Sequence, residues 1–217
     1  MKKILSALLL LGATAGTASA QVEIGIKLSP SVAYLRADAP SQYNFQSEKS
    51  KLGIGGGLVV DYFFGQNYAF GTGLQLTSKG GTVSYQANTI LGTEQKISLQ
   101  YLEIPLTVKL FTNDITTDTK LYFQLGGKIG GLVAARIDGE KFYQSGSEKS
   151  SKHFIVPDAA LLGGFGAEYQ VGQSTKVFAG LSYHHGLANV DRYFKNNGVS
   201  GATLKNGEVA LDLGIKF

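Results

Sequence analysis

The chain has 217 residues with 43% apolar and 11% aromatic composition, enough for one sizeable β domain or a crowded pair of small ones. It contains no Cys and no Trp, which excludes a disulfide framework, a thiolate metal site and a cysteine nucleophile. Gly is abundant at 29 residues while charged residues make up 17%, below the usual figure of about 25%, so the apolar residues must alternate with small and polar ones.

Lys2 and Lys3 precede an apolar run over residues 4–11, and Ala18-Ser19-Ala20 closes the segment before Gln21. A basic head, a short apolar middle and a small-residue cleavage site predict a secretory signal peptide over residues 1–20, leaving one mature domain over residues 21–217. Without Cys at the cleavage point, a lipid anchor there is excluded. Losing Lys2 and Lys3 takes Lys+Arg from 20 to 18 against 16 acids, so the whole-chain charge of +4 falls to +2 and argues little for nucleic acid.

Beyond residue 21 no apolar run is long enough for a membrane helix, and the recurring pattern has period two. Over residues 21–36, Val22, Ile24, Ile26 and Leu28 oppose Glu23, Gly25 and Lys27. Residues 51–64 set Leu52, Ile54, Leu58, Val60, Tyr62 and Phe64 against Gly53, Gly55, Gly57 and Asp61. The pattern is weakest over residues 68–85, where Phe70, Leu74 and Leu76 oppose Gly71, Gly73, Gln75 and Thr77. It is strict over residues 102–110, with aliphatics at every even position and Glu103, Thr107 and Lys109 between them. Residues 120–137 place Leu121, Phe123, Leu125, Ile129 and Val133 opposite Tyr122, Gln124, Lys128 and Arg136. Over residues 157–171 Leu161, Phe165, Tyr169 and Val171 oppose Gly164, Gly166, Glu168 and Gln170, and over residues 176–190 Val177, Leu181, Tyr183 and Leu187 oppose Lys176, Gly180, Ser182 and His184. The last segment alternates Val209, Leu211, Leu213, Ile215 and Phe217 with Glu208, Asp212 and Lys216. Successive side chains of a strand face opposite ways, so each segment has one greasy and one polar face.

The links between segments are short near residues 65–67, 112–119 and 171–175, and long and polar over residues 37–50, 86–95, 138–156 and 191–206. Three short turns, four long loops and eight strands predict an eight-stranded antiparallel transmembrane β-barrel, an up-and-down meander with short periplasmic turns and longer extracellular loops. Aromatics concentrate at the short-turn end, where Tyr62, Phe63, Phe64, Tyr68, Phe70, Phe111, Tyr122, Phe123, Tyr169, Phe178 and Phe217 predict an interfacial girdle. Tyr34, Tyr85, Tyr101 and Tyr183 lie near the other ends of their strands.

A barrel of this size is filled by its own side chains, which leaves no water channel. The inward set contains the acids Glu23, Asp61, Glu103, Glu168, Glu208 and Asp212 and the bases Lys27, Lys109, Lys128, Arg136 and Lys216. Near-balance predicts a paired interior charge network, because an unpaired charge there is heavily penalised. In the loops, Tyr43, Phe45, Phe142, Tyr143, Arg192, Tyr193 and Phe194 are candidates for contact with a partner; the same aromatics can equally cover the barrel mouth.

Other motifs point elsewhere and fail. The run Gly126-Gly127-Lys128-Ile129-Gly130-Gly131 lacks the spacing and the Ser or Thr of a phosphate loop and sits within an alternating strand. Ser182 and His184 share a face at a spacing of two, as a lipid hydrolase would need, but both read as inward, His185 reads as outward, and no carboxylate is obviously placed to orient the imidazole. His153 beside Lys149 and Lys152 reads as solvated, and three scattered His do not suggest a metal. No cofactor is expected.

Leu102-Glu103-Ile104-Pro105-Leu106 followed by Lys109 resembles the Leu-x-Ile-Pro-Leu-x-x-Lys strand of the PorT-like outer-membrane β-barrel proteins of Bacteroidetes. Tyr183-His184-His185-Gly186-Leu187-Ala188-Asn189 is similar to that family's Tyr-x-x-Gly-Leu-x-Asn, and Gly25-Ile26-Lys27 to its opening strand, although Ser29-Pro30 replaces a second Gly that often follows. The resemblance implies a Gram-negative outer-membrane barrel in contact with outer-membrane lipids, with Phe217 as a terminal aromatic suited to the barrel-assembly machinery. The namesake's association with secretion does not transfer with barrel motifs. Pro105 cannot donate to a ladder, so a bulge or an unpaired site is expected there. The reading is a non-enzymatic barrel with a structural, adhesive or interaction role in its outer loops. Alternatives are a narrow pore, an accessory of protein secretion, or a periplasmic ligand-carrying barrel with its faces reversed.

Overall fold

The computed structural model describes residues 22–87, 90–142, 149–196 and 201–217. The proposed signal segment and Tyr143 lie outside the described residues. Eight strands run in order around a closed barrel: β1 (Val22–Asp38), β2 (Gln46–Gly65), β3 (Tyr68–Ala87), β4 (Ile90–Phe111), β5 (Thr119–Ile137), β6 (Pro157–Gln170), β7 (Lys176–Gly186) and β8 (Thr203–Lys216). Every neighbouring pair is antiparallel, and β8 closes the sheet by pairing with β1 from Gly25↔Lys216 to Asp38↔Thr203. Closure leaves no unpaired sheet edge, the condition for a β-structure to sit in hydrocarbon. No helix among the described residues is long and apolar enough to cross a membrane; the strands make the crossing.

Alternation sorts the side chains as period two requires. Ile24, Ile26, Leu28, Leu58, Leu125, Ile129, Leu161, Leu181 and Leu213 stand on the outer wall, while Glu23, Asp61, Lys128, Glu168 and Asp212 are buried within. The aromatic girdle divides by the same parity. Tyr62, Phe64, Tyr68, Phe70, Phe123, Tyr169 and Phe217 face outward, but Phe111, Tyr122 and Phe178, with Phe63 beside them, pack inside as a floor to the barrel. Chain position placed these four near the right end; only parity assigns their side.

Two departures from the simple pattern matter. The second extracellular connection is largely strand, because the β3–β4 ladder climbs to Ala87↔Ile90 and makes a tall hairpin. The hairpin is flanked by the long strands β2 and β5, whereas β6 and β7, across the barrel from it, are shorter, so the wall is lower on that side. The other departure comes from proline. Opposite Pro105 the β3–β4 ladder passes from Thr72↔Leu106 to Gln75↔Glu103 with its register unchanged, whereas the β4–β5 ladder runs through Pro105↔Lys128. Pro105 therefore interrupts pairing on one side without a bulge, because it has no N–H to donate. Pro30 has the same effect on the β1–β8 ladder, which passes from Leu28↔Leu213 to Ser31↔Ala210.

Candidate functional site

The bore is filled in layers. At the periplasmic end the Lys216 ammonium is a hub, 2.9 Å from both Glu23 and Asp61 and in close contact with Glu168. Lys109 meets Asp61 from the other side at 2.8 Å, and Lys176 pairs with Glu23. These cations stand over the aromatic floor, with Lys216 5.6 Å from the Phe111 ring and Lys109 5.6 Å from Tyr122, so ring faces supplement the carboxylates. Inward glycines make the room: a Cβ at Gly71 would sit 3.0 Å from Lys109 Cε and 3.2 Å from Asp61 Oδ1. Beside this layer Lys27 binds Asp212 at 3.0 Å, and Ser29 donates to the same carboxylate at 2.6 Å.

Higher in the bore Glu103 is the centre. Its carboxylate bridges Lys79 at 2.5 Å and Lys128 at 2.9 Å and accepts from Thr77 at 2.8 Å. Lys79 reaches on to Asp158 at 2.9 Å, and Lys128 to Glu208 at 3.1 Å. Asn206 donates to Asp158, closing the group across β3, β4, β5, β6 and β8. Fully buried ions remain charged only when paired and hydrogen-bonded in this way.

Of the eleven residues expected in the interior network, the structure brings ten together. Arg136 is the exception and lies exposed on the outer wall. The reason is a bulge in β5: the β4–β5 register shifts between Gln100↔Ala134 and Tyr101↔Leu132, so parity reverses and Ala135 and Ile137 turn inward instead. The expected set omitted Lys79, Asp158 and Lys176, although all three sit at inward parity; the weak apolar signal of β3 and the position of Asp158 at the very start of β6 hid two of them.

Ser182, His184 and Glu208 form an unforeseen chain. Ser182 Oγ is 3.1 Å from His184 Nε2, and His184 Nδ1 is 2.8 Å from Glu208. The orienting carboxylate not obvious in the sequence is supplied across the β7–β8 ladder, where His184 pairs with Glu208. A nucleophile also needs a space in which the reacting carbonyl can stand. Ser182 is 2% exposed, Lys128 Nζ shares the Nδ1 side of the imidazole with Glu208 at 2.5 Å, and the nearby interior cavity is about 30 Å³ and not lined by Ser182. That volume holds about a water or two. The chain of bonds ties β7 and β8 into the charged layer. His185 faces outward and contacts Arg36 at 2.9 Å.

Above the charges the bore turns apolar. Leu35, Val83, Ile97, Leu99, Tyr101 and Leu204 from the strands pack with Phe45, Phe154, Val190, Tyr193 and Phe194 from the loops. Phe194 lies edge-on to Phe45 at 4.7 Å and to Tyr85 at 5.2 Å. Three of the aromatics expected to meet a partner are thus buried: Phe45, Tyr193 and Phe194 close the mouth, because rings of this size lower the free energy most by leaving water. Tyr43 packs half-buried against them. Phe142 and Arg192 are exposed on the crown. Among the described residues no group of His, Asp and Glu is arranged to hold a metal ion.

A closed barrel with an apolar outer wall and a paired, sealed bore is a transmembrane β-barrel. The chain belongs to the outer membrane protein beta-barrel domain family, whose profile matches residues 15–192, and it is accordingly an outer-membrane protein. It is similar in structure to surface protein A of Neisseria, with a TM-score of 0.52 at 14% identity over 92% of this chain and 100% of that one. OprG of Pseudomonas aeruginosa matches with a TM-score of 0.51, also at 14% identity, over 91% of this chain and 96% of that one. At such identity the likeness shows the fold. No curated protein matches the sequence.

Proposed function

We propose that this is a non-enzymatic barrel, exported by a cleaved signal peptide over residues 1–20, whose structural, adhesive or interaction role resides on its extracellular end. The observation that supports the reading is the filled bore: two charged layers and an apolar cap leave the outer surface and crown as the places where another molecule can be met. Phe142 and Arg192 are the exposed candidates there, and the tall β3–β4 hairpin rises from the same end of the barrel. The buried aromatics Phe45, Tyr193 and Phe194 act as supports for that crown. Assignment to the PorT-like group, with Phe217 as the contact for the assembly machinery, is consistent with the motifs that carry the resemblance.

Planar-bilayer recording tests the sealed bore. The purified protein is expected to give no stepwise conductance in molar salt, and defined channel openings would favour the narrow-pore or transport reading. In parallel, a Phe142→Ala, Arg192→Ala variant displayed on cells is expected to lose surface adhesion while keeping heat-modifiable gel migration. Unchanged adhesion would remove these two residues from the role.

A further inference from the structure

Just above the lipid-facing band, the outer wall carries a polar depression of about 220 Å³ lined by Lys51, Ser78, Ser98, Gln100, Ala134 and Arg136. Its height follows from register. Leu76↔Leu102 is an outward aliphatic pair, and the next outward pair above it is Ser78↔Gln100, two residues or about 7 Å higher. On β5 the exposed Val133 gives way to Ala134 and Arg136, and Arg136 pairs with Ser98. The bulge that expels Arg136 from the bore is what delivers it here.

Lys51 reaches the same place from β2, its ammonium 3.4 Å from Ser78 Oγ, where the β2–β3 register breaks between Ser50↔Gly81 and Gly55↔Thr77. The charges of Lys96 and Arg136 both act on Lys51. Among the described residues none of these three cations has a carboxylate at ion-pair distance; nearby Asp138 accepts from the Lys96 backbone N–H at 2.8 Å. Three like charges converge with two hydroxyls and an amide, in contrast to the bore, where every cluster of lysines is matched by acids. Such a cluster is relieved by an anion that brings its own acceptor oxygens.

We propose that this depression binds the phosphate of an outer-leaflet lipid headgroup. Height selects a lipid over a soluble anion: the acyl chains of a bound molecule would lie directly on Leu76, Leu102 and Val133 while its phosphate met Lys51 and Arg136. On the opposite wall the same sequence of chemistry recurs, since the outward pair Val32↔Val209 is followed by Tyr34 and then by Arg36↔Lys205. Cations at headgroup level are therefore a feature of the rim, and the β2–β5 depression is the place where they enclose a volume.

The test uses the full mature protein in detergent and native mass spectrometry, with dioleoyl phosphatidic acid as probe and dioleoylglycerol and inorganic phosphate as comparisons. One phosphatidate is expected to be retained, while dioleoylglycerol and inorganic phosphate bind far more weakly. In Lys51→Met, Arg136→Gln the phosphatidate affinity should fall about tenfold or more, given the attraction each basic residue near a membrane surface exerts on anionic lipid. Lys120→Met, at the periplasmic rim, should leave it unchanged. Gln100→Glu keeps every cation but adds a negative charge, and should weaken binding comparably; folding of each variant is checked by heat-modifiable migration. Equal retention of dioleoylglycerol would assign binding to the apolar wall alone, and equal affinity for inorganic phosphate would make this a soluble-anion site. Either result, or wild-type affinity in both pocket variants, overturns the proposal.

Discussion

The middle and the mouth of the bore are both closed, but by opposite means. In the middle Glu103, and below it at the periplasmic end Lys216, each gather two or three partners of opposite charge contributed by different strands. At the mouth, rings and aliphatics from loops and strand ends pack against one another in an apolar cluster. Charge pairing is directional and fails as a unit, because one lost partner strands another charge in a dry interior. Apolar packing is graded, since neighbours move partly into any space that opens. The strands, fixed in register by closure, can hold the demanding geometry; the loops supply the tolerant one.

Removing Glu103 probes the directional half most severely. Glu103→Ala leaves Lys79 and Lys128 without the carboxylate they share, although each keeps a second acid. The expected loss of stability is about 3 to 5 kcal/mol, the range for breaking a buried ion pair by deleting one partner. Denaturant unfolding in phospholipid vesicles measures it. A loss below about 1 kcal/mol, the scale of an exposed pair, would mean that water enters this layer and that the middle is not dry.

The graded half is tested by Phe194→Ala. Phe194 is fully buried and touches Phe45, Tyr85 and Tyr193. We expect about 3 kcal/mol, the low end for a buried phenylalanine, because a cap built from loops can settle into the space. The same variant should still show no conductance in bilayers, since both charged layers lie beneath the cap. Current through it would show that the mouth alone closes the bore.

What could be read from the sequence follows the same division. Strand number, the periplasmic turns and ten of the interior charges were legible because period-two alternation converts residue number directly into a side of the wall. Arg136 departs from its expected side because a single extra residue in β5 reverses that conversion, and nothing in Gly130-Gly131-Leu132-Val133 marks the bulge beyond its small residues. The link from His184 to Glu208 required the β7–β8 register, which long loops leave undetermined. Phe45, Tyr193 and Phe194 sit in segments with no periodicity, so their composition admitted both an exposed and a capping role; their packing against Leu35, Val83 and Leu99 decides for the cap. Pro105 was legible in effect, since a residue without an N–H must leave a gap in one ladder, but whether that gap carried a bulge was not.

The smallest expected effect compares one polar link in the apolar mouth with the ionic links below. Gln95 Nε2 donates to the Tyr193 hydroxyl at 2.8 Å, joining β4 to the short helical turn Tyr193–Asn196. Tyr193→Phe keeps the ring, and with it the edge contacts to Phe194 and His153, while removing the acceptor. A neutral hydrogen bond contributes about 1 kcal/mol net, several times less than the shared carboxylate of Glu103, because the amide that loses its partner carries no full charge. The same unfolding measurement resolves the difference. If Tyr193→Phe cost as much as Glu103→Ala, the hydroxyl would have to be anchoring the whole loop cap, and the mouth would share the all-or-none character that the middle owes to its charges.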